Sequence, residues 1–196
     1  IHRYNTIEFQ SKLLGYVNHR DYRAAAIGAT GDYKERLAEL VNNDLNVVCI
    51  DIAHGDHILM EKAIEFIRSQ YPHLFVMAGN VATAYGYKRL ALAGAHAVRT
   101  SVGSGSICTT RIQTGHGIPT FQAVLDCYEA KQEHLDSGKD WPTPYIVADG
   151  GIKNSGDIVK SLAAGADFVM LGSMLSGTRE TPGKVIMQDG KKIKRY

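Results

Sequence analysis

KRLALAGAHAVRTSVGSG (residues 88–105) and KSLAAGADFVMLGS (residues 160–173) decide the fold class of this 196-residue chain. Each reads as a helix, a glycine suited to a helix C-cap, a short strand, and then glycine with serine. The same alternation extends outward from them, beginning at Arg23. Strands AAAIG (24–28), VVCIDIA (47–53), FVMAGN (75–80), AVRTS (97–101), YIVADG (145–150) and FVMLGS (168–173) are separated by helical-period segments at 33–42, 58–70, 84–92, 120–134 and 155–163. Such a succession of βα units builds a parallel sheet, either doubly wound or closed into a barrel. In both, the ligand sits at the carboxyl ends of the strands. Five strand ends here carry polar or glycine-rich sequence: 51–55, 79–80, 101–108, 149–151 and 172–173. That many ends converge on one site more easily in a closed barrel, so the expected class is α/β, a (β/α)8 TIM barrel.

Eight strands close such a barrel, whereas six are read here, with the tail of another at 1–3. The expectation is therefore a single catalytic barrel domain over residues 1–196, lacking its first βα unit and incomplete at both ends. The chain starts without Met and stops after Tyr196, as a processed product or a part of a longer protein would.

Bulk properties narrow the function classes. With 44% apolar residues the chain is globular, and no run approaches the roughly 20 apolar residues of a membrane span. A signal-peptide pattern is missing at 1–9, so a cytoplasmic setting is expected. The 22 Lys and Arg are offset by 20 Asp and Glu, which gives no general polyanion surface and argues against nucleic acid. Lys191, Lys192, Lys194 and Arg195 read as a solvated face. Cys49 and Cys127 lie in apolar runs, where cysteine behaves as a small buried hydrophobe.

Cys108 has different neighbours, in SVGSGSICTTRIQTGHGIP (101–119). Glycines let backbone approach a ligand or cation, and hydroxyls with free N–H groups can hold a thiol as thiolate. The natural reading is a nucleophile, the alternative a flexible loop with an incidental cysteine. DGG at 149–151 and GS at 172–173 each lead from a strand into a helix, where N–H groups can meet a phosphate, or simply form a βα turn. Asp51 ends a strand and either accepts ribose hydroxyls or fixes the loop and caps a helix. His54 and His57 have no third ligand at a recognised spacing for a metal.

Taken together, GSGSICTTRIQTG (103–115), VADGGIKNSGDI (147–158), AAGADFVMLGSMLSGT (163–178), MAGNVATA (77–84) and IGATGDYKER (27–36) resemble the inosine monophosphate dehydrogenase and guanosine monophosphate reductase family. The resemblance runs from Ile1 to Tyr196 in unbroken order. It implies that Cys108 attacks C2 of a purine nucleotide, with Thr110 beside it, while a nicotinamide cofactor exchanges hydride with that carbon. It further implies phosphate binding by Ser106, Gly151, Gly172, Ser173 and Tyr196, and ribose binding by Asp149. Asp51 and Ala53 match cofactor-side positions, Asn80 and Arg99 line the active centre, and Gly103 serves the cofactor side too. The carbonyls of Gly103, Gly105 and Cys108 match a potassium site, and a homotetramer is implied. A thioether adduct would turn aromatic C2 into an sp³ centre from which hydride can leave.

GTRETPG (177–183), ADGGI and DGKKIKRY (189–196) look like the dehydrogenase branch, which takes IMP to XMP with NAD. The reductase branch, which takes GMP to IMP and ammonia with NADPH, leads one to expect His and Cys where Thr178 and Ile152 stand. Residues 10–24 are too short for the regulatory tandem domain most dehydrogenases insert there, and the Arg-Tyr flap that activates water would lie beyond Tyr196. His116 replaces the usual apolar residue of TGxG and reads as a loop surface residue. A catalytically silent nucleotide-binding subunit is the third reading.

Overall fold

The computed structural model describes residues 1–138, 142–181 and 183–195. Six parallel strands, β1 (Ala24–Ile27), β2 (Val47–Asp51), β3 (Phe75–Val81), β4 (Ala97–Thr100), β5 (Tyr145–Asp149) and β6 (Phe168–Met170), are ordered in space as in sequence. A doubly wound sheet reverses its strand order at a switch point; this one never does, and it is the curled sheet of a barrel segment. All six strands fall where the βα alternation places them. Ile1 continues the sheet beyond β1: its amine donates to Ala24 O at 2.9 Å, and Ala26 N donates to its carbonyl at 2.8 Å.

Among the described residues seven α-helices accompany the strands: α1 (Ile7–Gly15), α2 (Tyr33–Asn42), α3 (Ile58–Gln70), α4 (Ala84–Ala93), α5 (Thr110–Thr114), α6 (Thr120–Asp136) and α7 (Ser155–Ala163). Three are started by a side chain at the strand-to-helix turn, which satisfies a free N–H of the first turn. His57 Nδ1 accepts from Leu59 N at 3.1 Å, Thr83 Oγ1 from Gly86 N at 3.1 Å, and Asn154 Oδ1 from Asp157 N at 3.0 Å. His57 is thus a helix cap, and Asp51 does not cap α3. Gly94 ends α4 in the left-handed region (φ 100°), the C-cap read from its sequence.

Alternation along the strands divides two environments. Val48, Ile50, Val76, Ala78 and Ile146 face the helices and pack fully buried against Leu37, Leu40, Ile64, Ile67 and Leu90, which is the core. The other set faces the barrel interior: Cys49 and Asp51 on β2, Arg99 on β4, Asp149 on β5. The N-terminal segment is bolted on by buried polar groups. Gln10 Nε2 donates to Ile1 O and Ala26 O, and Arg36 donates to Gln10 Oε1, Asn5 O and Asp32. The alternation did not mark α1.

A second difference lies at the C-terminal end, where β7 (Lys184–Gln188) and β8 (Lys191–Arg195) form an antiparallel hairpin. Asp189 and Gly190 both have positive φ (50° and 73°), as a tight hairpin turn demands, so the Asp-Gly signal was present beneath the basic cluster. Lys194 is not simply solvated: its ammonium donates to Thr178 O at 2.8 Å and Arg179 O at 3.1 Å, fastening the hairpin to the preceding loop.

Candidate active site

Barrel geometry brings the ends of β2, β3, β4 and β5 around a cavity of about 270 Å³. Asp51, Ala53, Asn80, Arg99, Gly103, Gly105, Cys108, Thr110 and Asp149 all line it. Residues from five separate stretches of sequence therefore meet in one place. A neighbouring cavity of about 370 Å³ shares Gly150 and takes in Gly151. Ser106, Gly172 and Ser173 are exposed and line neither of these cavities. Tyr196 lies outside the described residues. Sequence reading missed Arg3 and Tyr4, which also line the first cavity because Ile1 pairs with β1. They lie at and just after the strand tail read at 1–3, an end that was not among the five polar or glycine-rich ends singled out.

The loop that carries Cys108 is held at both ends. Ser101, buried with φ 93°, hydrogen-bonds Ser104 Oγ at 2.8 Å, and Ser104 Oγ donates to Ile118 O at 3.0 Å. Val102 and Ile118 close a backbone bridge. Thr120 Oγ1 then donates to Gly150 O at 2.7 Å, tying the start of α6 to the DGG turn. Gly150 must be glycine: with φ 91°, an added Cβ would lie 2.9 Å from Gly105 N, so the two glycine-rich turns touch backbone to backbone.

Cys108 Sγ lies 3.3 Å from Thr110 Oγ1. The Thr110 hydroxyl, and next its backbone N–H, hold the Cys108 thiol below its ordinary pKa, helped by the Gly103 N–H and the Arg111 charge against some desolvation. Burial acts the other way on the remaining thiols. It raises Cys49, and Cys127 is pushed up to about 12. Of the three thiols, only that of Cys108 is therefore held below its ordinary pKa.

Beside it lies a charged set. Arg99 Nη2 donates to Asp51 Oδ1, while Nη1 reaches Asp149 Oδ2 at 3.4 Å. Asn80 Nδ2 donates to the same Asp149 oxygen at 2.9 Å, and Arg3 Nε stands 3.9 Å from Asp51 Oδ2. His116 is exposed, its ring against Thr114 O in the loop after α5. Among the described residues, no group of three or more His, Cys, Asp and Glu is placed to hold a metal ion, and no helix is long and apolar enough to cross a membrane.

Fold and site define a (β/α)-barrel protein with an activated thiol and a paired-carboxylate cleft at the carboxyl ends of its strands. A family model described as the IMP dehydrogenase / GMP reductase domain matches residues 12–196, and the chain belongs to that family. Relatives include the inosine-5'-monophosphate dehydrogenases of Bacillus subtilis (strain 168) and Escherichia coli (strain K12). Each is 46% identical over 172 residues, covering 88% of this chain and 34% of the relative. The chain thus spans about a third of the length of these curated relatives. Among solved structures, a GMP reductase from Trypanosoma brucei superposes with a TM-score of 0.79 at 38% identity, covering 87% of this chain and 36% of that one.

Proposed function

We propose that this chain forms the nucleotide-binding and nucleophile-bearing part of a purine nucleotide oxidoreductase that oxidises IMP to XMP with NAD. The observation that carries the reading is Cys108: it alone among the cysteines has a lowered pKa, and it opens on the same cavity as Asp149 and Asp51. Its thiolate forms the bond to C2, and the loss of hydride from C2 followed by attack of water returns the free thiol with XMP. Asp149 takes the nucleotide ribose. The phosphate is held by N–H groups of Gly151 and Gly172 with the hydroxyls of Ser106 and Ser173, and by Tyr196. Asp51, Ala53, Asn80 and Gly103 serve the cofactor side, and Arg99 sits between the two halves.

NAD, when bound, supplies the hydride acceptor. The cavity's carboxylates and strand-end backbone suit ribose hydroxyls and amide groups. The carbonyls of Gly103, Gly105 and Cys108 are a neutral oxygen set without a carboxylate in the loop, which suits potassium better than a divalent ion. Gly105 O already accepts Cys108 N at 3.1 Å, leaving its second lone pair for a cation. A cytoplasmic homotetramer belongs to the same reading, and light scattering checks the assembly.

The GMP reductase likeness at a TM-score of 0.79 favours a second reading, NADPH-dependent conversion of GMP to IMP and ammonia. Incubation with IMP and NAD, and separately with GMP and NADPH, distinguishes them by the nicotinamide absorbance. The first pair should form NADH, and Cys108→Ala should abolish it. Turnover of only the second pair makes the chain a reductase. Nucleotide binding without either reaction makes it a silent subunit.

A further inference from the structure

The polar groups of the cleft form one connected set. Asp51 ends β2, Asn80 lies at the end of β3, Arg99 lies in β4 and Asp149 ends β5, so four neighbouring strands contribute one side chain each. At the centre is Arg99, whose side chain is only 8% exposed. Its planar fork gives one nitrogen to each carboxylate, Nη2 to Asp51 and Nη1 to Asp149. The two contacts are unequal. That to Asp149 is long at 3.4 Å, and Asp149 Oδ1 has no hydrogen-bond partner among the described residues.

We propose that Arg99 is a positioning residue that couples the two halves of the cleft, so that nucleotide binding at Asp149 and cofactor binding at Asp51 strengthen one another. This rests on the reading of Asp149 and Asp51 as the ribose acceptors of nucleotide and cofactor. A ribose diol donating to Asp149 fixes that carboxylate. The shared guanidinium settles against it, and Asp51 is fixed in turn on the other nitrogen. Order established by the first ligand need not be established again by the second.

The surroundings of Arg99 favour transmission over adaptation. A Cβ on Gly79 would lie 2.7 Å from Arg99 Cβ, so β3 backbone closes directly on the arginine stem. Met170 Sδ lies 3.9 Å from Nη1 on the β6 side. An arginine whose stem is closed in by β3 backbone and whose fork meets Met170 passes a displacement at one carboxylate to the other. Lysine keeps the charge but has a single ammonium and no fork, so it cannot hold both carboxylates in this way.

Calorimetric titration of the full chain carrying Cys108→Ala, which blocks turnover, tests the proposal. IMP is titrated with and without saturating NAD, and NAD with and without saturating IMP; GMP and NADPH replace them if they are the pair that reacts. Each ligand should tighten the other about 5-fold or more, by the same factor in both directions as linkage requires. Adding Arg99→Lys should bring that factor close to one while both ligands still bind singly. If Arg99→Lys gives no cooperative thermal melt, Asp51→Asn carries the test. It should weaken nucleotide binding about 3- to 10-fold with no cofactor present, although the nucleotide does not touch Asp51.

Coupling retained in Arg99→Lys, or nucleotide affinity unchanged in Asp51→Asn where that variant is needed, overturns the proposal. Independent binding of the two ligands in the Cys108→Ala chain overturns it while leaving the functional reading intact. Failure of that chain to bind either nucleotide overturns both.

Discussion

Cys49, Cys108 and Cys127 carry the same side chain and differ in what surrounds them. Cys127 is fully buried and its pKa is pushed up to about 12, whereas the Thr110 hydroxyl and N–H lower that of Cys108. Because the thiolate is the reactive form, a lowered pKa moves alkylation of Cys108 to lower pH. Iodoacetamide should therefore label Cys108 first in folded protein, and the pH profile of that reaction should have its midpoint below the ordinary thiol value. Thr110→Val removes the hydroxyl and should move the profile upward. At any pH well below the midpoint, the thiolate population falls about tenfold for every pH unit by which the midpoint rises, with the high-pH plateau nearly unchanged. A profile that Thr110→Val does not move would show that the hydroxyl plays no part. The sequence made Cys108 legible through its Gly, Ser and Thr neighbours. It did not reveal Arg99 as the bridge between Asp51 and Asp149, because those contacts join residues about 50 positions apart and no local pattern records them. Arg3 and Tyr4 were hidden for the same reason.

Among the elements, helix boundaries were readable from the hydrophobic period, and at α3 and α7 a capping side chain enforces them. α2, α3 and α7 start and stop where the sequence periodicity places them, with caps such as His57 and Asn154 fixing the first turn. α1 was missed because its short amphipathic stretch precedes the βα alternation, and the β7–β8 hairpin because four basic residues masked the Asp-Gly turn. The turn after α7 has φ 105° at Gly165, and an added Cβ there would lie 2.2 Å from the Tyr128 ring. Gly165→Ala thus combines a disfavoured backbone with overpacking, and should cost about 2 kcal/mol or more in urea unfolding. A cost within about 0.5 kcal/mol would mean that α6 yields easily. The 103–108 loop makes a separate prediction on the proposed cation. Replacing potassium with lithium should weaken nucleotide binding or slow reaction at Cys108, since small, strongly hydrated lithium fits a carbonyl set poorly. Equal affinity and rate in the two salts would remove the cation from the site.

Across the whole molecule, protection is expected to be graded. β2, β3 and β4 have paired neighbours on both sides and buried contacts with the helices, whereas Phe168 of β6 is 55% exposed and every residue of β7 is exposed. Native-state hydrogen exchange should be slowest in β2–β4 and fastest in β6 and the hairpin. Uniform protection would show that the edge strands open only with the whole sheet. Strand order was legible only as far as a parallel sheet; barrel or doubly wound was decided by convergence of polar strand ends, and the pairing confirms the barrel. That sequential order has a kinetic consequence. Within the six-stranded sheet each strand from β2 onward pairs with the one preceding it in the chain, so the sheet can be assembled from the amino end as the polypeptide leaves the ribosome, without waiting for distant segments. Among these pairings the longest closure is between Ala97 and Tyr145, and it spans the Cys108 loop and α6. The entropy cost of closing such a loop grows only slowly, by about 0.6 kcal/mol per doubling of length. β1–β4 are therefore expected to zip first, with β5 docking across the long closure, so Asp149 reaches Arg99 and the thiol late and the newborn chain carries no complete cleft until β5 has docked.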